Sequence, residues 1–267
     1  MPATPDVAPR PRRTPRRIEV ARIATLSPHM VRITFTGEDL QSFVWTGPAA
    51  HIKLIVPEDG SHEAPMPIPD GPRSPTMRTY TPRRFNASTF ELDVDFMLHD
   101  HGPAGRWAIR AKIGDRLVVL GPAPGYKIDA EAAWFLLAGD GTALPAIETI
   151  LADLPAKISV RALIEVTDEN EIRALHSAGN VDIEWLIRGA DPQQAGAPLE
   201  AAIRKFIDQL PSGNGRFYVG CESNAMRRIR RLLLKERGFE RGTIVTRGYW
   251  KLGSSNHPDG DYGDDTV

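Results

Sequence analysis

Residues 78–83 read Arg-Thr-Tyr-Thr-Pro-Arg, and residues 101–107 read His-Gly-Pro-Ala-Gly-Arg-Trp. The first segment joins an aromatic ring that can stack on a flat ligand to two guanidinium groups that can hold a pyrophosphate. The second segment is a loop of small residues that leads into a helix, whose free backbone N–H groups attract phosphate. In this order, and ahead of an α/β half, the two segments predict a flavin site in a protein that transfers electrons.

Short strands surround these two segments. Residues 89–97 alternate apolar and polar side chains with a period of two, which is typical of a strand. The apolar side chains on its inner face are Phe90, Leu92, Val94 and Phe96. Further strands separated by turns are predicted at residues 18–26, 29–36, 51–56 and 116–120. The pattern predicts a small antiparallel barrel with one short helix at residues 103–111.

Strands and helices alternate after residues 121–125. Strands are predicted at residues 133–138, 157–165, 181–187 and 216–220, and helices at residues 146–152, 169–178, 198–209 and 224–237. Such alternation predicts a parallel sheet with helices on both faces. Between the first strand and the first helix, residues 139–145 resemble a dinucleotide-binding turn, although they lack the G-x-G-x-x-G spacing.

These patterns divide the chain into four parts. Residues 1–17 are rich in Pro and Arg and predict a disordered tail, and the polar, acidic residues 254–267 predict a second loose end. Between them, residues 18–125 form the predicted β-barrel and residues 126–253 the predicted α/β domain. The arginines of the first tail leave nucleic-acid contact as an alternative to a solvated tail, which a net charge of −1 disfavours.

Composition is typical of a soluble, cytoplasmic protein. With 267 residues, the chain is long enough to bury two cores. We find no apolar run of about 18 residues that would cross a membrane, and no apolar segment near the start that would make a secretory signal. The single cysteine, Cys221, excludes an internal disulfide and a four-cysteine metal site, which fits a reducing compartment.

Four residues of the first segment have a chemical use in a flavin site. The ring of Tyr80 can stack beside the isoalloxazine while its hydroxyl reaches the ribityl chain. Thr81 can place a hydroxyl near the ring's reactive nitrogen, and Arg78 or Arg83 can bind the pyrophosphate through paired hydrogen bonds. The alternative is a polar strand end with a stacked tyrosine.

In the second segment, small residues let the backbone approach a phosphate closely. These residues are Gly102, Ala104 and Gly105, and Trp107 would anchor the helix in the core. A plain helix N-terminus is the alternative. His99, just before the loop, is a candidate cofactor contact, with a structural histidine as its alternative.

Three segments together resemble one known family: residues 78–83, residues 139–146 (Gly-Asp-Gly-Thr-Ala-Leu-Pro-Ala) and residues 248–253 (Gly-Tyr-Trp-Lys-Leu-Gly). From residue 18 to residue 253, the chain resembles the siderophore-interacting proteins, cytoplasmic ferric-siderophore reductases of the ferredoxin-reductase-like superfamily. The resemblance implies a six-stranded antiparallel FAD-binding barrel followed by a parallel-sheet NAD(P)H-binding domain. It further implies reduction of Fe(III)-siderophore complexes to Fe(II), with electrons that pass from NADPH or NADH through FAD.

The resemblance also assigns residues to the cofactors and to the substrate. Around the isoalloxazine and ribityl part it places Arg78, Tyr80 and Thr81. On the pyrophosphate and adenine side it places Asp95, His99, Gly102, Ala104 and Trp107. Near the flavin and the nicotinamide it places Asp140, Thr142 and Ala143, with Trp250 over the flavin face. The residues that would bind the siderophore are basic: Lys53, Lys127 and Lys251.

The expected chemistry needs no nucleophile, acid–base pair or protein-bound metal. Ferric iron accepts one electron whereas a nicotinamide gives two, and a flavin connects such partners. Iron that arrives already chelated needs no protein ligand, which fits a sequence without cysteine and histidine clusters. Lysines near the flavin edge would attract anionic chelates.

Two other functions stay open from the sequence: a flavoreductase that serves a protein or quinone, and a siderophore-binding protein without catalysis. The donor is open as well, because Glu165 favours NADH and the arginines among residues 227–231 favour NADPH, while reduced ferredoxin is a third donor. The chain departs from the family pattern at Gly141, where Glu is frequent, and at residues 220–222, where Ala-Gly-Glu is frequent. We expect a monomer that binds a ferric siderophore and NAD(P)H, without nucleic acid or membrane insertion.

Overall fold

Seven strands form an antiparallel sheet in the first half of the molecule, within the residues that the computed structural model describes (14–254, 257, 261 and 262). They are β1 (Arg16–Ser27), β2 (Met30–Thr36), β3 (His51–Ile55), β4 (Met77–Tyr80), β5 (Pro82–Asn86), β6 (Glu91–Met97) and β7 (Arg116–Ala123). They pair in the order β4-β3-β7-β1-β2-β6-β5. The two edge strands, β4 and β5, are separated in the chain by Thr81 alone, so the sheet must curl until its edges approach each other.

The curled sheet confirms the predicted antiparallel β-domain. Within the described residues, no ladder between β4 and β5 closes the sheet into a barrel. The strand number is seven rather than the expected six, because residues 77–86 pass from one edge of the sheet to the other at Thr81 and so form two strands, β4 and β5. The strand pattern in the sequence did not reveal either edge strand, since residues 77–86 lack a regular alternation of apolar and polar side chains.

The helix α1 (Pro103–Arg110) packs on the core of this sheet. Pro103 stands in its first turn, where the missing N–H of proline has no cost, so the predicted helix forms. Trp107 is fully buried, with its ring centroid 5.4 Å from that of Phe96 and 6.3 Å from that of Phe35. These rings and aliphatic side chains of β1, β2, β3 and β6 form the core of the β-domain.

A parallel five-stranded sheet forms the second half. Its elements are β8 (Trp134–Asp140), α2 (Leu144–Asp153), β9 (Ser159–Val166), β10 (Asn180–Ile187), α3 (Ala197–Ile207), β11 (Gly215–Glu222), α4 (Ser223–Arg231) and β12 (Ile244–Trp250). The strand order is β10-β9-β8-β11-β12, and every pair is parallel. One core cluster joins α2 to the sheet and another joins α3 and α4, so the predicted parallel sheet with helices on both faces is confirmed. None of the helices in the described ranges is long and apolar enough to cross a membrane.

One predicted helix is wrong. Residues 169–178 form only a single 3-10 turn, Glu169–Glu171. The physical reason is that side chains of this segment bond to the β-domain. Glu171 accepts hydrogen bonds from the Ser27 hydroxyl (2.5 Å) and from the His29 backbone N–H (3.1 Å).

Both predicted loose ends include residues that contact the folded domains. β1 begins at Arg16, inside the predicted tail, and the buried Arg16 guanidinium donates to the Gly121 carbonyl oxygen at 2.8 Å. At the other end, Asp261 pairs with Arg227 of α4 at 2.8 Å. The remaining parts of these two predictions, residues 1–13, 255–256, 258–260 and 263–267, lie outside the described residues.

Buried ion pairs connect the two halves. Glu148 of α2 accepts hydrogen bonds from Arg83 of β5 (3.1 Å) and from Arg173 (3.3 Å). Arg173 also lies 4.0 Å from Asp95 of β6, which accepts two hydrogen bonds, of 2.7 and 2.8 Å, from Arg32. Three guanidinium groups thus surround two nearly buried carboxylates, and we call these five residues the interdomain clamp.

Replacing Glu148 by Ala leaves Arg83 and Arg173 without their shared partner. We expect the free energy of unfolding to fall by about 3 kcal/mol, the usual cost of breaking a buried ion pair from one side. The matched control is Asp153→Ala at the exposed end of the same helix, which should cost less than about 0.5 kcal/mol. Urea unfolding measures both variants, and equal midpoints would show that the clamp does not stabilise the fold.

Candidate functional site

A small cavity of about 80 Å³ lies at the carboxyl ends of the parallel strands, where they meet the β-domain. Its lining includes Asp140 and Thr142 after β8, Glu165 in β9, Trp250 at the end of β12, and Met97 at the end of β6. Ligands of open α/β sheets bind at this edge of the sheet. The cavity therefore marks a cleft between the two halves, which we call the interdomain cleft.

Glycine at position 141 keeps the two halves close together at this cleft. A Cβ atom on Gly141 would lie 3.2 Å from both Sδ and Cε of Met97. That distance is tight, so a larger side chain would displace the flexible Met97. The departure from the family pattern at this position thus coincides with a close contact between the domains.

The carboxylate of Asp140 accepts four hydrogen bonds. Oδ1 accepts from the backbone N–H (2.9 Å) and hydroxyl (2.5 Å) of Thr142, and Oδ2 accepts from the Glu222 N–H (3.1 Å) and the Trp250 indole N–H (2.8 Å). Burial raises the pKa of Asp140, and the same hydrogen bonds oppose that rise. One buried carboxylate therefore fastens the ends of β8, β11 and β12.

Ala143, the N-cap residue of α2, follows this carboxylate closely in the chain and is fully buried. A Cβ on Gly139 would lie 2.7 Å from the Ala143 Cβ, and one on Gly220 would lie 3.0 Å from it. The small residues at these three positions let β8 and β11 approach the start of the helix. Asp140, Thr142, Ala143 and Trp250, which the sequence assigned to the cofactor region, thus lie together.

On the β-domain side, the ring of Tyr80 packs on Phe96 with centroids 4.4 Å apart. Burial raises the pKa of the Tyr80 hydroxyl well above its usual range, so the phenol stays neutral. Thr81 follows it and is buried at the junction of β4 and β5. Arg78 donates hydrogen bonds to the carbonyl oxygens of Pro75 and Met77, both at 2.8 Å.

The first turn of α1 has no side-chain cap. Gly102 precedes it with a φ of 80°, a conformation that favours glycine, and the turn contains no acidic residue. A Cβ on Gly105 would lie 2.4 Å from the His99 carbonyl oxygen and 2.5 Å from the ring carbon Cε1. Only glycine therefore lets His99 pack on this turn, beside the buried Ala104. Burial and then His101 lower the pKa of His99, which favours its neutral form.

These features fit a cofactor that combines a flat ring with phosphate groups. Free N–H groups in the first turn of α1 suit an anion, and the Tyr80 ring suits an aromatic partner. In addition, the indole N–H of Trp107 is buried and has no hydrogen-bond partner among the described residues. Buried donors are normally satisfied, so this indole N–H fits a cofactor that brings an acceptor atom to it.

Two predicted cofactor residues have other partners. Arg83 and Asp95 both belong to the interdomain clamp, where they pair with Glu148 and Arg32. No sequence pattern indicated this clamp, since Glu148 lies 65 residues beyond Arg83. A cofactor role for Arg83 and Asp95 stays a prediction.

The three predicted siderophore lysines occupy different surroundings. Lys53 is nearly buried and donates to the Thr79 hydroxyl at 2.5 Å. Lys127 is exposed and lines a cavity of about 460 Å³ together with Arg216. Lys251 is exposed after β12. The described residues that line this cavity and the cavity of the interdomain cleft do not include Lys53 or Lys251.

The residues considered for donor choice also have partners. Both oxygens of Glu165 accept from the Gly196 N–H at 3.0 Å, and burial raises the pKa of Glu165 to about 7. Arg228 forms an ion pair with Glu200, and Arg227 forms one with Asp261, each at 2.8 Å. Cys221 is fully buried, and burial raises the pKa of its thiol, so it is a small core residue and not a nucleophile.

Both halves of the chain match known sequence families. The profile described as a siderophore-interacting FAD-binding domain matches residues 19–126, and the profile described as siderophore-interacting protein matches residues 132–253. The ferric vibriobactin reductase of Vibrio cholerae is 33% identical over 90% of this chain and 91% of its own length. The NADPH-dependent ferric-chelate reductase of Escherichia coli is 29% identical over 88% of this chain and 92% of its own length.

Solved structures give a similar result. A siderophore utilization protein from T. fusca aligns with a TM-score of 0.84 at 38% identity, over 92% of this chain and 96% of that chain. The ferredoxin-NADP+ reductase from Plasmodium falciparum aligns with a TM-score of 0.66 at 12% identity, over 88% of this chain and 96% of that chain. The second alignment shows a shared fold alone.

Replacing Asp140 by Asn tests whether this carboxylate organises the cleft. One acceptor oxygen becomes an NH₂ group that faces another donor, so we expect a loss of about 1–3 kcal/mol of stability. The indole N–H signal of Trp250 in a ¹H–¹⁵N spectrum, assigned through Trp250→Phe, should also move. Asp182→Asn, at an exposed position of β10, is the control for both measurements. An unmoved indole signal with control-like stability would contradict the role given to Asp140.

Proposed function

The chain belongs to the siderophore-interacting protein family, and from this premise we propose that it is an FAD-dependent reductase of ferric siderophores driven by NADPH or NADH. The observation that carries the proposal is the interdomain cleft, in which Met97 of the β-domain lines one cavity with Asp140 and Trp250 of the α/β domain. The names of the relatives from Vibrio cholerae and Escherichia coli, a ferric vibriobactin reductase and an NADPH-dependent ferric-chelate reductase, support it. When bound, FAD supplies the conversion of a two-electron donor into one-electron steps that ferric iron accepts.

The residues of the β-domain hold the cofactor in this proposal. Arg78, Tyr80 and Thr81 contact the isoalloxazine and ribityl part. The uncapped first turn of α1 receives the pyrophosphate through its N–H groups. The residues assigned to the pyrophosphate and adenine side are Arg83, Asp95, His99, Gly102, Ala104, Gly105 and Trp107. Arg83 and Asp95 would act there while remaining in the interdomain clamp.

The carboxyl edge of the parallel sheet receives the nicotinamide. Asp140, Thr142 and Ala143 shape the entrance, and Trp250 is oriented by its hydrogen bond to Asp140 so that it can cover a flat ring. Because every proton-accepting site of Asp140 already receives a hydrogen bond, we assign it a structural role and no proton transfer. This edge of the sheet contains the positions at which the chain departs from the family pattern, Gly141 and residues 220–222.

The substrate iron arrives inside its chelate, so the protein needs no iron ligand. Lys53, Lys127 and Lys251 attract anionic chelates in this proposal. The cavity beside Lys127 has a volume within the usual range of small-molecule sites. Chelators built for hard ferric iron hold the softer ferrous ion less tightly, which explains release after reduction. The domains divide at residues 125–126, and the protein acts as a cytoplasmic monomer for which the reaction requires no macromolecular partner.

The first test follows the electrons by absorption. Anaerobic NADPH or NADH should bleach the flavin spectrum of the FAD-loaded protein, and a ferric siderophore should restore it while a ferrous-specific chelator traps Fe(II). Arg78→Ala should weaken FAD binding by about tenfold, whereas Arg22→Ala, an exposed arginine on β1, should not. A wild-type protein that takes up no FAD would overturn the proposal, and one reduced only by ferredoxin would correct the donor.

The second test separates siderophore reduction from service to a protein or quinone. Changing Lys53, Lys127 and Lys251 together to Ala should raise KM for an anionic ferric siderophore by about tenfold or more, and leave flavin reduction by the nicotinamide unchanged. The matched control changes three exposed lysines, Lys112, Lys157 and Lys205, and so alters the net charge equally. Equal KM values for the two triple variants would favour the rival acceptors.

A further inference from the structure

A histidine and two carboxylates meet where the two halves of the molecule touch. His29 lies in the turn between β1 and β2, and Asp168 and Glu171 follow β9. One potential ligand atom of each residue lies within 4.8 Å of those of the other two, and Nδ1 of His29 is 2.8 Å from Oε1 of Glu171. The three residues, which we call the His29 cluster, therefore offer one nitrogen and two carboxylate oxygens around a common point.

The negative charge of this cluster is not balanced by an arginine or a lysine. Glu171 is 6% exposed, and its only ion-pair partner among the described residues is His29, whose imidazole is charged only when protonated. The two carboxylates of the interdomain clamp, in contrast, are paired with arginines. Buried charges are normally paired or bound to a metal ion, so the His29 cluster has the charge that a divalent cation balances.

Neighbouring groups already orient both carboxylates. The hydroxyl of Ser27 donates to Oε2 of Glu171 at 2.5 Å, and the backbone N–H of His29 donates to Oε1 at 3.1 Å. The backbone N–H of Asn170 donates to Oδ1 of Asp168 at 2.8 Å. A carboxylate has about four lone-pair sites, so each of these can still bind an ion. Hydrogen bonds of this kind fix the ligands of metal sites in proteins.

The His29 cluster also has space beside it for the remaining ligands of an ion. Glu171 and Thr167 line the cavity of about 80 Å³ in the interdomain cleft. An ion held by three protein ligands completes its coordination with water, and a polar cavity of this volume has room for water molecules. The side chain of His29 is 44% exposed, which gives the ion a path from solvent.

We propose that His29, Asp168 and Glu171 form a binding site for a divalent first-row transition-metal ion such as Zn²⁺. Imidazole and carboxylate ligands together suit these ions, whereas Mg²⁺ prefers oxygen ligands alone. His29 belongs to the β-domain and both carboxylates belong to the α/β domain, so one bound ion links the two halves beside the interdomain clamp. The site contains none of the residues assigned to the flavin, the nicotinamide or the siderophore, and the inference does not depend on the proposed function.

Isothermal titration calorimetry with ZnCl₂ tests the site in FAD-loaded protein without an affinity tag, after EDTA has removed bound metals. We expect saturable binding of one equivalent of Zn²⁺, and no saturable binding of MgCl₂ at the same concentration. Because the ion binds the folded protein, the unfolding temperature should rise by about 5 °C or more when free Zn²⁺ is about a hundredfold above its Kd.

Two substitutions of similar shape locate the bound ion. Asp168→Asn keeps an oxygen that can accept from the Asn170 N–H, and His29→Gln keeps an amide that can hydrogen-bond to Glu171, so both variants should fold. Each should weaken Zn²⁺ binding by about tenfold or more, because each removes one ligand of the ion. Thermal unfolding without metal confirms that the variants are folded.

His62→Gln is the matched control. His62 lies 2.7 Å from Asp115, but among the described residues no third potential ligand joins this pair, so the variant should bind Zn²⁺ as the wild type does. A wild-type protein without saturable Zn²⁺ binding overturns the inference, and so does undiminished binding when His29→Gln and Asp168→Asn are combined. Flavin reduction by NADPH or NADH tests the proposed function separately, so the two can fail independently.

Discussion

The buried carboxylate of Asp140 is the constraint on which the interdomain cleft depends. A carboxylate loses water on burial, and its pKa rises unless donors replace that water. Here four donors do so, two from Thr142, one from Glu222 and one from Trp250. Because these donors come from the ends of β8, β11 and β12, satisfying one charge also fixes the edge of the sheet where a nicotinamide would bind.

The interdomain clamp fixes the second boundary of the cleft. Its carboxylates, Asp95 and Glu148, belong to different halves, and Arg173 lies between them. Buried charges of this kind contribute little net stability when paired, but are expensive to leave unpaired, so they select one arrangement of the halves over others. The predicted helix at residues 169–178 does not form because Arg173 and its neighbour Glu171 bond outward to the β-domain.

A division of labour between the halves follows from these contacts. The β-domain offers an aromatic ring and an uncapped helix start, and the α/β domain offers the edge of a parallel sheet. The described side chains of this site suit the binding and orientation of ligands. This agrees with a reaction in which a protein supplies orientation and a cofactor supplies the redox chemistry.

The local structure of this protein follows from patterns that the sequence alone contains. Three such patterns are the alternation at residues 89–97, the apolar run that forms β8, and the proline and glycines around α1. Each acts over a few residues, so periodicity and backbone preference are enough to predict the strand or helix that forms there. The family and its cofactor followed in the same way from three short segments. Tertiary packing, in contrast, makes β4 and β5 the two edges of one curled sheet, and it brings Arg83 to Glu148 and Tyr218 to Tyr249. These contacts join residues that are distant in the chain. They form because buried donors and charges must find partners once the halves have packed, and no local sequence pattern encodes which partner each one finds.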